Sequence, residues 1–456
     1  MLRSVSRVGL IGLVAMAVGP QGLHGESPRE KIRVLIVTGG HDFEREAFFE
    51  LFRLLPDVTF TEVRHPDAHK RFAPAAGAEA ESDQVADDFD VIVLYDLWQD
   101  ISEQAKKDFV SLLRRGKGLL ALHHCIASYQ KWPEYEKIIG AKYHVPGLSD
   151  EPPSSFKHGC EMKIHVAEPD HPVVAGIKDF TIHDEAYLRM RFSPDVKPLL
   201  TTDHPDNDPA IAWARRYGNA RVAYIQLGHD SKAYGNESYR TLVGNAIRWV
   251  ACRSPEAKPD KDGFVSLFDG KTLDGWVLMG EPDGFFVKDG VIRSEGRQGR
   301  WLRLVRQYSD FVLKLEWRVA ENGNSGVFLR AGEGAQPWLG GIEVQITNAP
   351  RDDLHCTGSL YGVVAPNPRP DESADKWHAF EIRCEGPRIA VAVDGVGVVN
   401  ADCSTIDALK SKARRGYIGL QDSHARKGCW IEYRNIRLKD LASTAPRVKD
   451  AERGSE

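Results

Sequence analysis

The chain has 456 residues, a formal net charge of -5 and a hydrophobic content of 42%. A chain of this length is too long for a single hydrophobic core, so two or three domains are expected. The even mixture of charge signs excludes a basic surface for nucleic acid or for an anionic membrane, so the expected partner is a small molecule.

Residues 1–25 have the pattern of a secretory signal peptide. Arg3 and Arg7 precede an apolar run over residues 8–18, and a region of small residues ends near Gly25. The run is too short to span a membrane, and no cysteine near its end offers a lipid anchor. We therefore expect a periplasmic or secreted protein without an integral membrane span after signal removal.

Residues 31–252 alternate between short apolar strands and amphipathic helices. This order predicts an α/β doubly wound domain with a mostly parallel sheet covered on both faces. Ser102 is the expected N-cap of one helix. The predicted strands are 31–40, 89–94, 118–122 and 221–227, and the predicted helices are 44–55, 102–115 and 239–250.

Histidines and carboxylates follow the ends of these predicted strands. Ligand sites in such folds lie at the carboxyl ends of the strands, so the set predicts a site there, although any one of these histidines alone is more often structural. The residues are His41 and Asp42, Asp96 and Trp98, His123 and His124, and His229 and Asp230.

Four motifs in this half resemble the trehalose-utilisation, or ThuA-like, family. They are GGHDFE, LLALHHCIASYQKWPEYEKIIGAKYH, HPVVAGIKDFTIHDEAYLRM and PAIAWARRYGNARVAYIQLGHD. The resemblance implies the fold of the class I glutamine amidotransferases and a role with oxidised (3-keto) sugars. It also implies a pocket lined by His41, His123, His124, Asp184, Glu185 and His229.

The seven cysteines have no metal-like spacing. Cys125 lacks the flanking glycines of a nucleophile elbow and is expected to be structural. Cys384 and Cys429 lie in predicted strands of one domain and are the favoured disulfide pair, with buried free thiols as the equal alternative.

The periodicity changes from helical to alternating after a Pro-, Lys- and Asp-rich linker at residues 253–263. Many short strands separated by Gly, Asn and Asp turns predict an all-β jelly-roll sandwich over residues 264–440. Val393-Asp-Gly-Val is a hairpin signal. Residues 441–456 are polar and predict a disordered tail. The strands are predicted at 285–287, 312–319, 326–330, 341–346, 379–384, 389–393, 416–420 and 429–438.

Polar side chains occupy one face of the strand Gly341 to Ile346. Ile342, Val344 and Ile346 share one face, while Glu343 and Gln345 share the other. Arg330 closes the preceding strand, and Trp317, Phe328 and Trp338 are near in sequence. A carboxylate, an amide and a guanidinium beside aromatic rings predict a sugar site; the alternative is a solvated face of an edge strand.

Several motifs in the second half resemble the 3-keto-disaccharide hydrolase domain family. They include FVSLFDGKTLDGW, DFVLKLEWRVAENGNSGVFLR, GGIEVQI, TGSLYGVVAP, KWHAFEIRCEG and YIGLQDSHARKGCWIEYRNIRL. The resemblance implies a concanavalin-like jelly roll and a hydrolase of 3-keto-glycosides. It adds Tyr361, Gln421 and His424 to the expected site, with extra residues in this chain after Gln421.

Cleavage of a 3-keto-glycoside has its own chemical logic. A ketone at C3 acidifies the C2 hydrogen, and the glycosidic oxygen on C1 lies β to the carbonyl, so elimination needs a base, an enolate stabiliser and an acid. Glu343 is the expected base or metal ligand. Arg330 and Gln345 are expected at the enolate oxygen or sugar hydroxyls, with His424 as the acid or a further ligand.

Two functions follow from these patterns. The first is an exported enzyme that cleaves 3-keto-glycosides, with a first half that acts on or binds keto sugars. The alternative is a ThuA-like sugar-modifying enzyme that carries a non-catalytic carbohydrate-binding jelly roll. A divalent metal is a candidate cofactor, since His41, His123, Glu185 and His229 offer suitable ligands without a short ligand spacing.

Overall fold

The structure is a computed structural model that describes residues 31–73, 88–148, 151–252, 259–281, 284–296, 300–332, 336–423 and 428–441. The predicted signal peptide lies outside the described residues, as do most of the predicted tail and part of the predicted linker. Within the described ranges, no helix is long and apolar enough to cross a membrane.

The first half of the chain mixes strands with helices. Its helices are α1 (Arg45–Arg53), α2 (Glu103–Arg114), α3 (Pro133–Ile139), α4 (Ser231–Gly235) and α5 (Glu237–Val250). Its strands are β1 (Ile32–Gly39), β2 (Val58–Arg64), β3 (Val91–Asp96), β4 (Gly118–Leu122), β5 (Ala141–Lys142), β6 (Ser155–Val166), β7 (Phe180–Leu188), β8 (Arg191–Phe192), β9 (Pro198–Thr202), β10 (Ala210–Tyr217) and β11 (Ala220–Ile225).

Nine of these strands form one mixed sheet in the order β2-β1-β3-β4-β11-β10-β9-β6-β7. The pairs from β2 to β11 are parallel, as the alternation of strands and helices predicted. The pairs from β11 to β7 are antiparallel, which differs from the predicted mostly parallel sheet. The antiparallel strands follow one another without intervening α-helices, so the α/β alternation gave no signal for them.

Side-chain alternation along the parallel strands divides the core into two layers. In β1, Ile36 packs into one apolar cluster while Leu35 and Val37 pack into the other, and both clusters contain helix residues. Ser102 caps α2 as predicted, because its side chain accepts a hydrogen bond from Ala105 N at 3.1 Å. The sheet is thus buried on both faces, and polar side chains are concentrated at the strand ends.

The second half of the described chain is rich in strands. Its one short helix is α6 (Pro337–Gly340). Its strands are β12 (Val265–Ser266), β13 (Trp276–Leu278), β14 (Phe286–Lys288), β15 (Val291–Ser294), β16 (Trp301–Tyr308), β17 (Phe311–Val319), β18 (Asn324–Ala331), β19 (Ile342–Thr347), β20 (His378–Glu385), β21 (Arg388–Val393), β22 (Val396–Asp402), β23 (Gly416–Gln421) and β24 (Ile431–Asp440).

These strands form two antiparallel sheets that share one apolar core. The larger sheet has the order β14-β15-β24-β17-β20-β21-β22, with β12 paired to β24, and the smaller sheet has the order β13-β16-β23-β18-β19. Apolar residues of both sheets form a single cluster. Asp394 (φ 50°) and Gly395 (φ 82°) make the turn between β21 and β22, where the sequence predicted a hairpin. The β-rich second domain is therefore confirmed.

The favoured disulfide between Cys384 and Cys429 is wrong. All seven cysteines are free, and Cys384 is fully buried in the apolar core. Cys429 instead donates from its thiol to the carbonyl of Glu321 at 3.7 Å. The alternative of free thiols is the one the structure bears out.

The two halves contact each other at the amino ends of the central parallel strands. Asn219, in the turn before β11, donates to the carbonyl of Leu278 at 3.1 Å and accepts from its amide at 3.3 Å. Arg303 of β16 donates to the carbonyl of Arg115, which precedes β4, at 3.1 Å. The carboxyl ends of these strands, where the histidines lie, are at the opposite edge of the sheet.

Candidate functional site

A row of polar and aromatic side chains crosses the smaller sheet on the face opposite its core. Trp301 of β16 pairs with Gln421 of β23, and Phe328 of β18 pairs with Glu343 of β19. Core residues of the same strands, such as Val327 and Val344, point the other way. The ring of Trp301 lies edge-on to that of Phe328 at 5.9 Å. Strand alternation therefore builds the surface that the sequence predicted around Glu343.

The carboxylate of Glu343 lies against the backbone of Gly326. A Cβ on Gly326 would lie 2.5 Å from Glu343 Oε1 and 3.0 Å from Glu343 Cγ, so a larger residue here would displace the Glu343 side chain. Gln421 hydrogen-bonds to Glu343. Burial raises the pKa of Glu343 to about 7, and the hydrogen bond from Gln421 acts in the opposite direction. A carboxyl group with this pKa can take up and release a proton near neutral pH.

Other polar groups lie on the strands of this sheet or directly after them. When the Gln345 amide is turned so that its nitrogen faces the carboxylate, it donates to Glu343 Oε1 at 3.1 Å and to Ser325 O at 3.1 Å. Gln421 Oε1, Trp301 Nε1 and Ser423 Oγ are buried without a hydrogen-bond partner among the described residues. Buried polar atoms of this kind are normally satisfied, so they mark positions where a ligand can supply hydrogen bonds.

Arg330 does not join this group, which corrects its expected place beside Glu343. Its backbone is left-handed (φ 51°), so the alternation of β18 fails there. The side chain is 1% exposed, and it donates to Ser309 O at 2.7 Å, Gly386 O at 2.8 Å and Asp310 Oδ1 at 3.0 Å. The guanidinium thus ties two turns together, and no sugar or enolate role remains for it.

The remaining expected residues are exposed or lie outside the described residues. Trp338 is on α6, just before β19, and is 50% exposed. Tyr361 is 43% exposed, and its amide donates to the carbonyl of Glu343 at 3.0 Å. His424 lies outside the described residues. The structure therefore brings Glu343, Gln345 and Gln421 together and places Trp338 and Tyr361 near the start of β19.

A second cluster forms at the carboxyl ends of the parallel strands in the first half. His123 follows β4 with a left-handed backbone (φ 53°), as at a sharp strand-to-helix elbow. Its Nε2 lies 3.2 Å from Glu185 Oε2 and 3.2 Å from His229 Nδ1, and Glu185 Oε2 lies 3.6 Å from His229 Nδ1. Two imidazoles and a carboxylate thus converge on one point.

Two other expected carboxylates have backbone partners instead. Asp184 accepts from Gly228 N at 2.7 Å and from His229 N at 3.0 Å, so it holds the loop that carries His229. Burial raises the pKa of Asp184 to about 6. Asp230 accepts from the amides of Lys232 and Ala233 as the N-cap of α4. Asp184 therefore positions the cluster, and Asp230 is structural.

Two further histidines border the cluster. The ring of His124 lies 5.1 Å from that of His123 and 4.6 Å from that of His41. Both ring nitrogens of His124 are buried without a hydrogen-bond partner among the described residues. Burial, and next the charge of His123, lower its pKa well below the ordinary value, so the ring is neutral. No hydrogen bond or ion pair from exposed Asp42 to these histidines occurs within the part of the chain that the structure describes.

The sequence analysis missed two contributors to this cluster. His158 Nδ1 lies 3.1 Å from Glu185 Oε1, and the hydroxyl of Tyr187 hydrogen-bonds to Glu185. Both come from the β6–β7 hairpin, which was not predicted. The alternation of buried Cys160, Met162 and Ile164 was the available signal for β6.

Asp96, also at a strand end, belongs to a separate cluster. Its Oδ2 lies 3.0 Å from His65 Nε2, and both side chains are fully buried. The ring of Trp98 stacks on His65 at 4.9 Å. Cys125 is fully buried, and burial raises the pKa of its thiol well above the ordinary range, in agreement with a structural role.

Comparisons with known proteins match both halves. Residues 263–439 match the family model of the 3-keto-alpha-glucoside-1,2-lyase-like domain, and residues 33–250 match that of Trehalose utilisation. A 3-keto-disaccharide hydrolase of Bacteroides thetaiotaomicron is 35% identical over 235 residues, covering 40% of this chain and 80% of the relative.

Two solved structures show more distant similarity. A thua-like protein of Parabacteroides merdae is 21% identical, with 49% of this chain and 90% of that chain covered and a TM-score of 0.39. A carbohydrate-binding module, CBM66 of Bacillus subtilis, is 16% identical, with 36% and 96% covered and a TM-score of 0.28.

The raised pKa of Glu343 makes a prediction about stability. Between pH 4.5 and pH 7 the folded state holds a proton at Glu343 that the unfolded state has lost, so the free energy of unfolding falls as pH rises through this window. The Glu343→Gln variant has no titrating group at this position, so its free energy of unfolding does not fall for this reason as pH rises. We expect the variant to be more stable than the parent by about 1–3 kcal/mol at pH 8, with the difference shrinking towards pH 4. Urea unfolding of the parent and the variant at pH 8 and pH 4 measures the difference in stability. An equal difference at the two pH values would contradict the prediction.

Proposed function

Because the chain belongs to the 3-keto-disaccharide hydrolase family through its second half and carries a ThuA domain ahead of it, we propose that it cleaves 3-keto-glycosides at the Glu343 site. The reaction is an elimination followed by addition of water, which gives net hydrolysis. The observation that carries the proposal is a half-buried carboxylate with a pKa of about 7, hydrogen-bonded to Gln421, whose Oε1 has no partner among the described residues.

The elimination begins with proton transfer to Glu343. The carboxylate removes the C2 proton of the keto sugar, and the electron pair of the C2–H bond moves into an enolate on the C3 oxygen. The enolate then re-forms the ketone as the C1–O bond breaks, and the departing glycosidic oxygen takes up a proton. Water adds across the C1–C2 double bond of the enone and completes the hydrolysis. The requirement for the protein is a base that is partly ionised near neutral pH.

The neutral partners of Glu343 suit this step. A cation in contact with the carboxylate would lower its pKa and weaken it as a base, whereas amide donors hold it in place at a smaller cost in basicity. Gln345 and Gln421 are such donors. The indole N–H of Trp301 and the hydroxyl of Ser423 are the groups we assign to sugar hydroxyls or the enolate oxygen.

We further propose that the first half is a domain that binds or acts on keto sugars. Its support is the match to the Trehalose utilisation family and the convergence of His123, Glu185 and His229 at the strand ends. The same substrate class at both sites is consistent with one chain that carries both domains. The fold of this half as a class I glutamine amidotransferase, and that of the second half as a jelly roll, are part of the proposal.

Replacing Glu343 separates chemistry from binding. In the full chain, Glu343→Gln is expected to lower kcat for a 3-keto-glucoside at least about 100-fold while substrate affinity changes by less than about 10-fold, because the amide keeps the shape and loses the base. Chromatography of the released product measures kcat, and calorimetry measures substrate affinity. Arg330→Lys is a poor control because it disturbs a buried network; Glu385→Gln, on an exposed end of β20, is the matched one.

An outcome in which the parent protein binds the 3-keto-glucoside without cleaving it would favour the alternative of a carbohydrate-binding second domain. Equal cleavage by parent and Glu343→Gln would remove Glu343 from the reaction.

The pH profile tests the hydrogen bond from Gln421. The kcat/KM of the parent is expected to rise with pH through about 7, as Glu343 loses its proton. Gln421→Met removes a contact that lowers the pKa of Glu343, so the rising limb should move to higher pH. Gln104→Met, on α2 of the other half, should leave the limb in place. A limb that moves to lower pH in Gln421→Met would contradict the assignment.

A further inference from the structure

We propose that His123, Glu185 and His229 bind one divalent transition-metal ion of the zinc class in tetrahedral geometry, with the fourth position open to an oxygen ligand. The ligand atoms of these three residues all lie within 4.8 Å of one another. This site is separate from Glu343 and does not depend on the cleavage reaction proposed there.

The distances fit a small tetrahedral ion. Bonds of about 2.0–2.1 Å place neighbouring ligand atoms of a tetrahedron about 3.3–3.4 Å apart, whereas an octahedron with the same bonds places them about 2.9 Å apart. The three edges here, joining His123 Nε2, Glu185 Oε2 and His229 Nδ1, are 3.2, 3.2 and 3.6 Å. The triangle therefore has the size of one face of a tetrahedron.

The hydrogen bond behind His123 fixes which nitrogen faces the ion. His123 Nδ1 lies 2.7 Å from the carbonyl oxygen of Gln226, which can only accept, so Nδ1 carries the proton. Nε2 is then the nitrogen that faces Glu185 Oε2 and His229 Nδ1, at 3.2 Å from each. A single proton can be shared by only two of the three ligand atoms, whereas a metal cation can bind all three at once. A carbonyl behind a ligating histidine is the usual arrangement at metal sites.

The surrounding groups hold the other two ligands in place. His158 Nδ1 lies 3.1 Å from the second oxygen of Glu185, which turns Oε2 towards the histidines. Asp184 accepts from the backbone N–H of His229 at 3.0 Å and orients its loop. His158 and Asp184 are positioning residues, because they act through the ligands.

Buried His124 indicates what occupies the open position. Both of its ring nitrogens lack a partner among the described residues, and its ring is 5.1 Å from that of His123. A water or a sugar oxygen bound to the ion can exchange hydrogen bonds with such a ring. The ligand class is therefore an oxygen donor such as a carbonyl or hydroxyl group, which the ion would polarise.

Cobalt(II) is the probe for this site, because its visible absorption is strong in tetrahedral and weak in octahedral coordination. The full chain, freed of metal by chelator, is titrated with Co²⁺. We expect one equivalent to bind with strong visible bands, and one equivalent of Zn²⁺ to displace it. Absence of binding, or weak bands at saturation, would overturn the proposal.

Substitutions identify the ligands. Glu185→Gln and His229→Ala should each weaken Co²⁺ binding at least about 100-fold, and His158→Ala about 10-fold. His183→Ala is the matched control on β7, since its exposed ring pairs with Glu161 instead, and it should bind as the parent does. Circular dichroism checks that each variant is folded; if a ligand variant does not fold, the parent titration and His158→Ala decide. Equal binding by the parent and His158→Ala, or by the parent and a folded Glu185→Gln, would overturn the assignment.

Discussion

A half-buried carboxylate with neutral partners is the interaction around which the candidate site of the second domain is arranged. Among the residues that the structure describes, the partners of Glu343 are amides, and no cation contacts it. Burial then raises its pKa to about 7 without an opposing charge. Arg330, the cation expected beside Glu343, is turned away by its left-handed backbone and forms an ion pair with Asp310. The separation of these two groups keeps a cation away from Glu343, so nothing of opposite charge among the described residues offsets the rise in its pKa.

Glycines on the outer face of the smaller sheet leave space for the larger side chains beside them. Gly326 leaves space for Glu343, and Gly419 leaves space for the ring of Trp301. The opposite face is filled by branched apolar side chains that join the two sheets. One sheet therefore stabilises the domain on its inner face and carries polar groups on its outer face, and this division follows from strand alternation.

The histidine cluster of the first half lies away from the contact between the two halves. The second half contacts the first at the turn around Asn219 and the segment before β4. These contacts lie at the amino ends of the parallel strands, whereas His123, Glu185 and His229 lie at the carboxyl ends.

The sequence by itself determined both domains, because hydrophobic periodicity and turn residues are local. It also predicted Glu343, Gln345, His123 and His229, since strand alternation and strand ends place such residues from sequence alone. The left-handed backbone at Arg330, the β6–β7 hairpin with His158, and the free thiols of Cys384 and Cys429 were decided by tertiary structure. These features depend on contacts between residues far apart in the chain, and a local pattern contains no information about which distant partner a side chain meets.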